Sequence, residues 1–489
     1  MAKQKVIIIG AGLAGSLLST FLARRGIEAD VYEARGDMRT REMSAGRSIN
    51  LALSDRGIAA LKQVGMDEYM LREAVPMVGR MIHSVDGETK LLPYSGREGE
   101  YINSVSRGGL NVALINEADN YPASRFHFNR RCVDFDCRSG EALIENAETG
   151  ERFSVAGETL IATDGAGSAV RRAMMTNRDC IERFNYSQTF LEHGYKELSI
   201  PPRSEFAGDL PPHANDDGEF LLEKNALHIW ARHQFMMIAL PNFDGSFTCT
   251  LFLAHAGQES FQAIESGVWR NETDPMSENQ QTNPQSAIRN PKSKKALFDF
   301  FKTNFPDALP LMPNLEAEFF SNPTGNLGTI KCFPWNVRGK ALLLGDAAHA
   351  MVPFYGQGMN CAFEDCRVFD SLIEEHDGDW EKIFNVYAER RKPNADAICD
   401  LAEENFYEMR DAVADPVFQR KRQLETLLEQ TYPDYFSKYS MVTFREDLPY
   451  RVAKEKGNSQ DELLMRICAG IEDVGAIDLG EVMEKVKMI

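Results

Sequence analysis

The chain has no C-x-x-C pair, no excess of basic charge and no long apolar run, and each absence removes a class of function. Nine cysteines are spread thinly over 489 residues. The nearest pairs, Cys132 with Cys137 and Cys361 with Cys366, have no matching second pair and no adjacent His. Neither a metal site nor a disulfide framework is expected, and the thiols should be reduced. Lys and Arg number 54 against 73 Asp and Glu, giving a net charge of -19. A nucleic-acid partner, which needs clustered Lys and Arg, is not expected. Any anionic ligand must instead find local basic residues or helix N-termini. No run of about 18 apolar residues occurs. The stretch from Glu462 to Ile489 is amphipathic, with Glu481, Glu484, Lys485 and Lys487 near its end, and does not read as a membrane span. The start enters a strand at Lys5 without the apolar stretch and cleavage site of a signal peptide. G-x-S-x-G and H-E-x-x-H are both missing, so hydrolase and zinc-protease readings have no support. No internal repeat is visible.

What is present begins with one βαβ unit. Val6 to Ile9 is a short, unalternating apolar run, as in a strand buried on both faces. Ala14 to Arg25 carries apolar residues at helical spacing, and Gly26 closes it. Ala29 to Tyr32 returns as a strand. Between the first strand and the helix lies Gly10-Ala11-Gly12-Leu13-Ala14-Gly15, with Glu33 ending the second strand. Gly10 permits the tight turn, Gly12 lets the backbone approach a pyrophosphate, and Gly15 lets helix and strand pack closely. The helix N-terminus supplies N–H donors and partial positive charge. Glu33 can accept hydrogen bonds from ribose hydroxyls and disfavours a 2′-phosphate. The expected dinucleotide is therefore FAD or NAD rather than NADP.

Two later strands end in similar turns. Thr159 to Ala162 runs into Asp164-Gly165, and Lys340 to Leu344 runs into Gly345-Asp346-Ala347-Ala348-His349. The second turn continues through Pro353, Phe354, Tyr355, Gly356, Gln357, Gly358, Met359 and Asn360. Its small residues admit a cofactor backbone. Asp346 can bond a ribityl hydroxyl, and Gly356, Gly358 and the following helix can present N–H groups to a flavin ring. His349 reads as a packing residue. No second strand–glycine–helix unit exists, so a nicotinamide donor has no domain of its own and must dock transiently.

This set resembles the FAD-dependent aromatic hydroxylases typified by para-hydroxybenzoate hydroxylase. Arg107, in Ser106-Arg107-Gly108-Gly109-Leu110, matches that family's cofactor-contacting arginine, and Asp164-Gly165 matches its second cofactor motif. The resemblance covers nearly the whole chain for the kynurenine 3-monooxygenase family. It rests on Arg47-Ser48-Ile49-Asn50-Leu51-Ala52-Leu53-Ser54, on Gly79-Arg80-Met81-Ile82-His83 and on the Val352 to Cys361 run. It implies a cofactor contact at Ala52 and substrate contacts at Arg80, Tyr94, Asn405, Met409 and Tyr439. Phe354 and Tyr355 would line the ring pocket; many members carry His where this chain has Tyr355. A planar guanidinium such as Arg80 binds a carboxylate through two parallel N–H bonds. The oxygen chemistry would belong to the flavin, so no catalytic side chain is named.

The expected fold is α/β, with a Rossmann-like FAD-binding domain interrupted by an antiparallel-sheet substrate domain and followed by a helical region. The boundaries are 1–75, 100–180 and 325–385 for the first, 76–99 and 181–324 for the second, and 386–489 for the third. Alternating stretches such as Leu227 to Trp230 and Phe247 to Phe252 suggest the inserted sheet. Residues 256–297 are polar and read as a surface excursion or loosely packed helices. From Asp379 the pattern is helical, interrupted at Tyr432-Pro433. The resemblance implies tightly bound, non-covalent FAD, with NADPH or NADH as transient co-substrate and L-kynurenine and O2 as substrates. A homodimer is compatible with it. Animal and fungal members end in an apolar anchor that this chain lacks, so a soluble, cytoplasmic form such as bacteria make is expected. Rival readings are a flavin monooxygenase acting on another aromatic acid and a non-catalytic FAD-binding redox sensor. A flavin halogenase would need a Trp-x-Trp-x-Ile-Pro run, which is missing.

Overall fold

The computed structural model describes residues 5–40, 50–178, 180–207, 209–211, 214–215, 218–270, 291–411 and 415–489. Arg47, Ser48 and Ile49 of the segment quoted above lie outside the described residues.

The apolar runs do form a sheet buried on both faces. Six strands lie in the order Asn336–Val337, Ala341–Leu343, Thr159–Ala162, Lys5–Ile9, Glu28–Tyr32 and Ser124–His127. All neighbours are parallel except the short edge strand Asn336–Val337. Val6, Ile8, Ile161 and Leu342 are fully buried at its centre. The helices Leu13–Arg24 and Gly358–Glu375 pack against each other and share its core.

A second sheet has seven strands, in the order Gly325–Phe333, Asn185–Ile200, Phe247–Ala254, Met236–Pro241, Ala226–Ala231, Gly79–His83 and Thr89–Pro93. It is antiparallel except where Ala226–Ile229 runs parallel to Gly79–Ile82. The strand carrying Arg80 is thereby seated inside this sheet. A third, antiparallel sheet has the strand order Asn50–Leu53, Ile102–Ser106 and Val75–Met77.

The described parts of the polar stretch 256–297 are helical, as one of the two expected readings has it, but packed rather than loose. Its described parts form the helices Phe261–Glu265 and, extending beyond it, Pro291–Asn304, and they are well packed. Phe261, Ile264, Leu297, Phe300 and Phe301 recur at helical spacing and bury themselves with Trp230, Met237 and Leu251 of the sheet. Polar composition masked an apolar stripe. After Trp380 the chain is helical: Trp380–Asp411, Pro416–Thr431, Lys438–Thr443, Tyr450–Ala469 and Leu479–Lys487. Asp415 caps the second of these by accepting from Val417 and Phe418 N–H, with Pro416 at its first position. Among the described residues no helix is long and apolar enough to cross a membrane.

The expectation of reduced thiols needs correction at one place. Cys137 and Cys180 form a disulfide, their Cα atoms 5.1 Å apart and 43 residues apart in sequence. Spacing gave no hint of it, because the fold alone brings these positions together. The other seven cysteines are free and buried.

Candidate functional site

The glycine turn is shaped to receive a ligand backbone. Gly10 has φ +101°, and a Cβ there would lie 2.6 Å from the Thr163 carbonyl oxygen. Gly15 is tighter, with Gly10 O only 2.0 Å from a built Cβ. Gly12 is the opposite: nothing lies within 4 Å of its Cβ position. The helix Leu13–Arg24 has neither a side-chain cap nor an acidic residue in its first turn. Its leading N–H groups thus remain available to an anion. Glu33 accepts from Ala11 N–H at 2.8 Å and from the Arg35 Nε–H at 2.7 Å. Burial pushes its carboxyl up, but the Arg35 contacts outweigh this and hold it below the usual range.

The second turn docks onto the first. Thr163 Oγ1 donates toward the carbonyls of Ile9 and Gly10 at 3.0 and 2.8 Å. Asp164 Oδ2 accepts from Ala169 N–H at 2.8 Å, whereas its buried Oδ1 has no partner among the described residues. Burial raises the Asp164 carboxyl above its ordinary value. A buried oxygen without a donor marks a place where a ligand hydroxyl is wanted. Gly165, at φ +78°, turns the chain away. These features fit an FAD: an open glycine for the pyrophosphate, an acid at each end and an uncapped helix.

Against the seven-stranded and three-stranded sheets lies a cavity of about 380 Å³. Ala52, Arg80, Tyr94, Arg107, Asp346, Pro353, Phe354, Tyr355, Gly356, Met409 and Tyr439 all line it. Expected cofactor and substrate residues from separate stretches therefore share one space. Its sheet wall was not anticipated. Ile238 and Leu240, and Thr248, Thr250 and Phe252, face it at every second position, and that alternation was readable in the sequence.

In the cavity wall Arg80 is flanked by two tyrosines. Its guanidinium carbon lies 5.9 Å from the Tyr94 ring centre and 5.2 Å from that of Tyr439. Tyr94 stacks on Tyr439 at 4.9 Å, and Tyr439 stacks on Tyr355 at 5.6 Å. Burial pushes the Tyr94 phenol well up, and its buried hydroxyl has no hydrogen-bond partner among the described residues. Glu408 pairs with Arg80 at 3.4 Å. Glu408 belongs to none of the sequence motifs, although it lies three positions after Asn405 on the same helix. Phe354 packs between Phe252 and Phe406, at 4.8 and 4.6 Å.

Asparagines expected at ligands are used within the protein. Asn405 Nδ2 donates to the Phe354 carbonyl at 2.6 Å and approaches Met409 Sδ at 3.4 Å. Asn360 Nδ2 donates to the Ala52 and Gly356 carbonyls, both at 2.8 Å, and its Oδ1 accepts from Ser54 N–H. Asn360 thus ties the Gly356–Gly358 loop to the strand Asn50–Leu53. Met359 is buried in the core of the first sheet.

Behind the Gly345 turn runs a buried ionic chain. Asp365 bonds His349 Nε2 and Arg391 Nε, both at 2.6 Å, and accepts from Gly345 N–H at 3.2 Å. Arg391 also pairs with Glu364 at 2.9 Å, and Arg56 approaches Glu364 at 3.5 Å. His349, Cys361 and Asp365 are close enough to hold a metal. The Arg391 guanidinium stands among them, 3.4 Å from Cys361 Sγ, and a resident cation disfavours a second.

The fold and site define a flavoprotein aromatic hydroxylase with one nucleotide domain. Residues 3–194 and 333–402 match the family model described as FAD binding domain. Solved structures agree on the fold. A 2-methyl-3-hydroxypyridine-5-carboxylic acid oxygenase is 18% identical, with a TM-score of 0.60, over 87% of this chain and 98% of that one. Klebsiella pneumoniae HpxO, complexed with FAD and uric acid, is 18% identical, with a TM-score of 0.60, over 87% of this chain and 93% of that one. Curated relatives narrow the class. Kynurenine 3-monooxygenase of Myxococcus xanthus is 42% identical, covering 99% of this chain and 95% of that protein. That of Stenotrophomonas maltophilia is 42% identical over 98% and 95%, and that of Legionella pneumophila 38% over 98% and 96%. The chain belongs to the kynurenine 3-monooxygenase family.

The glycine turn yields a prediction independent of turnover. Gly12 has φ -71° and open space at its Cβ, so Gly12→Val should fold with an unchanged circular dichroism spectrum. It should hold FAD about ten- to a hundredfold more weakly, because the added methyls occupy the pyrophosphate's path. A yellow variant retaining its full flavin content on dilution would refute the placement.

Proposed function

We propose that the protein hydroxylates L-kynurenine to 3-hydroxy-L-kynurenine, using FAD, NAD(P)H and O2, as a step of tryptophan degradation and pyridine nucleotide biosynthesis. The observation that carries this is Arg80, mostly buried and flanked by Tyr94 and Tyr439, in the lining of a cavity that Asp346 and Gly356 also line. Such a guanidinium offers two parallel N–H bonds to an amino-acid carboxylate. The unpartnered Tyr94 hydroxyl supports a second bond to the same group.

Gly10, Gly12, Leu13, Gly15, Glu33, Arg107, Asp164, Gly165, Gly345 and Asp346 are the residues proposed to hold FAD, with Ala52, Pro353, Gly356, Gly358, Met359 and Asn360 forming or bracing the wall at its ring. The bound flavin supplies the oxygen activation. The chain's own residues bind, orient and dry the substrate. Phe354, Tyr355 and Phe252 give the aromatic ring an apolar wall, and Met409 closes one side. Asn405 acts here through Phe354, whose carbonyl it anchors. The substrate's own aniline nitrogen activates the neighbouring ring carbon, so no strong protein base is required. Excluding water protects the reactive oxygen species from wasteful decay.

The test is NAD(P)H consumption by purified yellow protein with and without L-kynurenine. Oxidation should accelerate with substrate, and mass analysis should find a product one oxygen heavier. An unchanged rate across kynurenine and other aromatic amino acids would overturn the assignment.

A further inference from the structure

The disulfide Cys137–Cys180 closes a loop around a cofactor motif. Between the two cysteines run the strand Thr159–Ala162, the Asp164-Gly165 turn and the helix Ala169–Thr176. Cys137 directly follows the strand Arg130–Asp136, and the helix packs against that same strand. Asn177 N–H donates to the Ala173 carbonyl at 3.0 Å, and Cys180 N–H to the Asn177 carbonyl at 2.9 Å. The turn bearing Cys180 thus continues the helix, and the bridge pins the helix's far end to the strand.

The near end holds the cofactor turns. Ala169 N–H donates to Asp164 Oδ2 at 2.8 Å. Arg171, 6% exposed, donates from Nη1 to the Ala347 carbonyl at 2.7 Å and from Nη2 to the Ala166 carbonyl. One side chain therefore ties the Asp164 turn to the Asp346 turn. The helix has only eight residues, and helices shorter than about 12 residues are marginal without outside support. Packing on the strand and the bridge supply that support.

We propose that Cys137–Cys180 is a thiol-reversible clasp on FAD. Closed, it fixes the helix and through Arg171 both cofactor turns; open, it lets the flavin leave more readily. The inference rests on the FAD site proposed above. Cys180 is partly exposed, whereas Cys137 and the other seven cysteines are buried. An external thiolate thus has one sulfur within reach. Its attack on Cys180 forms a mixed disulfide and breaks the Cys137–Cys180 bond, and Cys137 leaves as a thiolate that takes up a proton. A second external thiol attacks the mixed disulfide at its external sulfur and frees the Cys180 thiol. Two external thiols are oxidised to one disulfide while the protein's disulfide gains two electrons and two protons. An external disulfide reverses every step, so the clasp follows the thiol–disulfide balance around the protein.

The experiment measures flavin dissociation, by the fluorescence regained as FAD leaves. It compares holoenzyme oxidised with glutathione disulfide, the same protein after dithiothreitol and desalting, and Cys180→Ser. Alkylation of denatured, unreduced protein counts the thiols, which should be seven in the oxidised form and all nine in the reduced form. The reduced protein should bind FAD about tenfold more weakly, the range of one charge-assisted bond. Glutathione disulfide should restore the tight state. Cys180→Ser should bind like the reduced form and ignore both reagents. Nine thiols after oxidation, or equal flavin affinity in the two states, would overturn the proposal. So would a Cys180→Ser variant that still responds to thiol. Protein that retains no FAD in either state would strike the cofactor site itself, and the clasp with it.

Discussion

Arg80→Met should leave a yellow, folded protein whose kcat/KM for L-kynurenine has fallen about a thousandfold, the expected loss of two charge-assisted hydrogen bonds. Met keeps the length and the apolar stem of Arg80, which sits in a strand paired on both sides by Leu227 and Leu92. The sheet should tolerate it. The abandoned Glu408 is 23% exposed and can be hydrated, so the stability cost is small beside the catalytic loss. None of the residues at the glycine turn or at Asp164 touches Arg80, so flavin content should match wild type. The informative readout is donor oxidation, which should stay slow and insensitive to kynurenine. Arg80→Lys separates geometry from charge: a point ammonium keeps the sign but loses the planar fork, so it should fall between the two. Wild-type turnover in Arg80→Met would remove the carboxylate clamp from the mechanism.

The first sheet was legible because burial on both faces leaves continuous apolar runs. Thr159–Ala162 appears with the same ends in sequence and structure, and Lys5–Ile9 likewise. The inserted sheet showed itself through alternation, but not through its order. Nothing local in Gly79–His83 says that it pairs in parallel with Ala226–Ile229, since that register is set by a distant chain segment. The site divides in the same way. Gly10, Gly12, Gly15 and Glu33 could be argued from backbone chemistry alone. Arg80, Tyr94 and Tyr439 came from family resemblance, and no spacing rule would have brought three such scattered residues together. Glu408 and the sheet wall at Thr248, Thr250 and Phe252 carried periodic signals that point at a face, yet a face is uninformative until one knows what it meets. Arg391 was the least visible. In Arg390-Arg391-Lys392 it reads as one of three surface charges, and only the helix's rotation buries the middle one.

That burial sets up a large stability effect outside the apolar cores. Arg391 is 3% exposed and joins Asp365 and Glu364, which are 0% and 8% exposed. Removing the cation leaves Asp365, among the described residues, with only His349 and the Gly345 N–H, and Glu364 with only Arg56 at 3.5 Å, so Arg391→Met should cost about 3–5 kcal/mol. Its sequence neighbour is the control. Arg390 pairs with Glu375 at 3.4 Å, both close to half exposed, and Arg390→Met should change stability by less than about 1 kcal/mol. The pH dependence follows from the sign of the Asp365 shift. Burial alone would raise this carboxyl, but His349 and Arg391 outweigh it and hold it below the ordinary carboxylate range. A depressed folded-state value stabilises the fold above the unfolded-state value, and that stabilisation disappears as pH falls through the depressed one. Without Arg391 the depression shrinks, so less stability depends on ionised Asp365 and the gap between variant and wild type should narrow as pH falls. Since Asp365 also accepts from Gly345 N–H, the damage should reach the cofactor turn, and flavin should leave before the chain unfolds. Urea denaturation followed by far-ultraviolet dichroism and by flavin fluorescence tests both parts. If Arg391→Met and wild type share a midpoint at neutral pH, the ionic chain contributes nothing and the turn is held by packing alone.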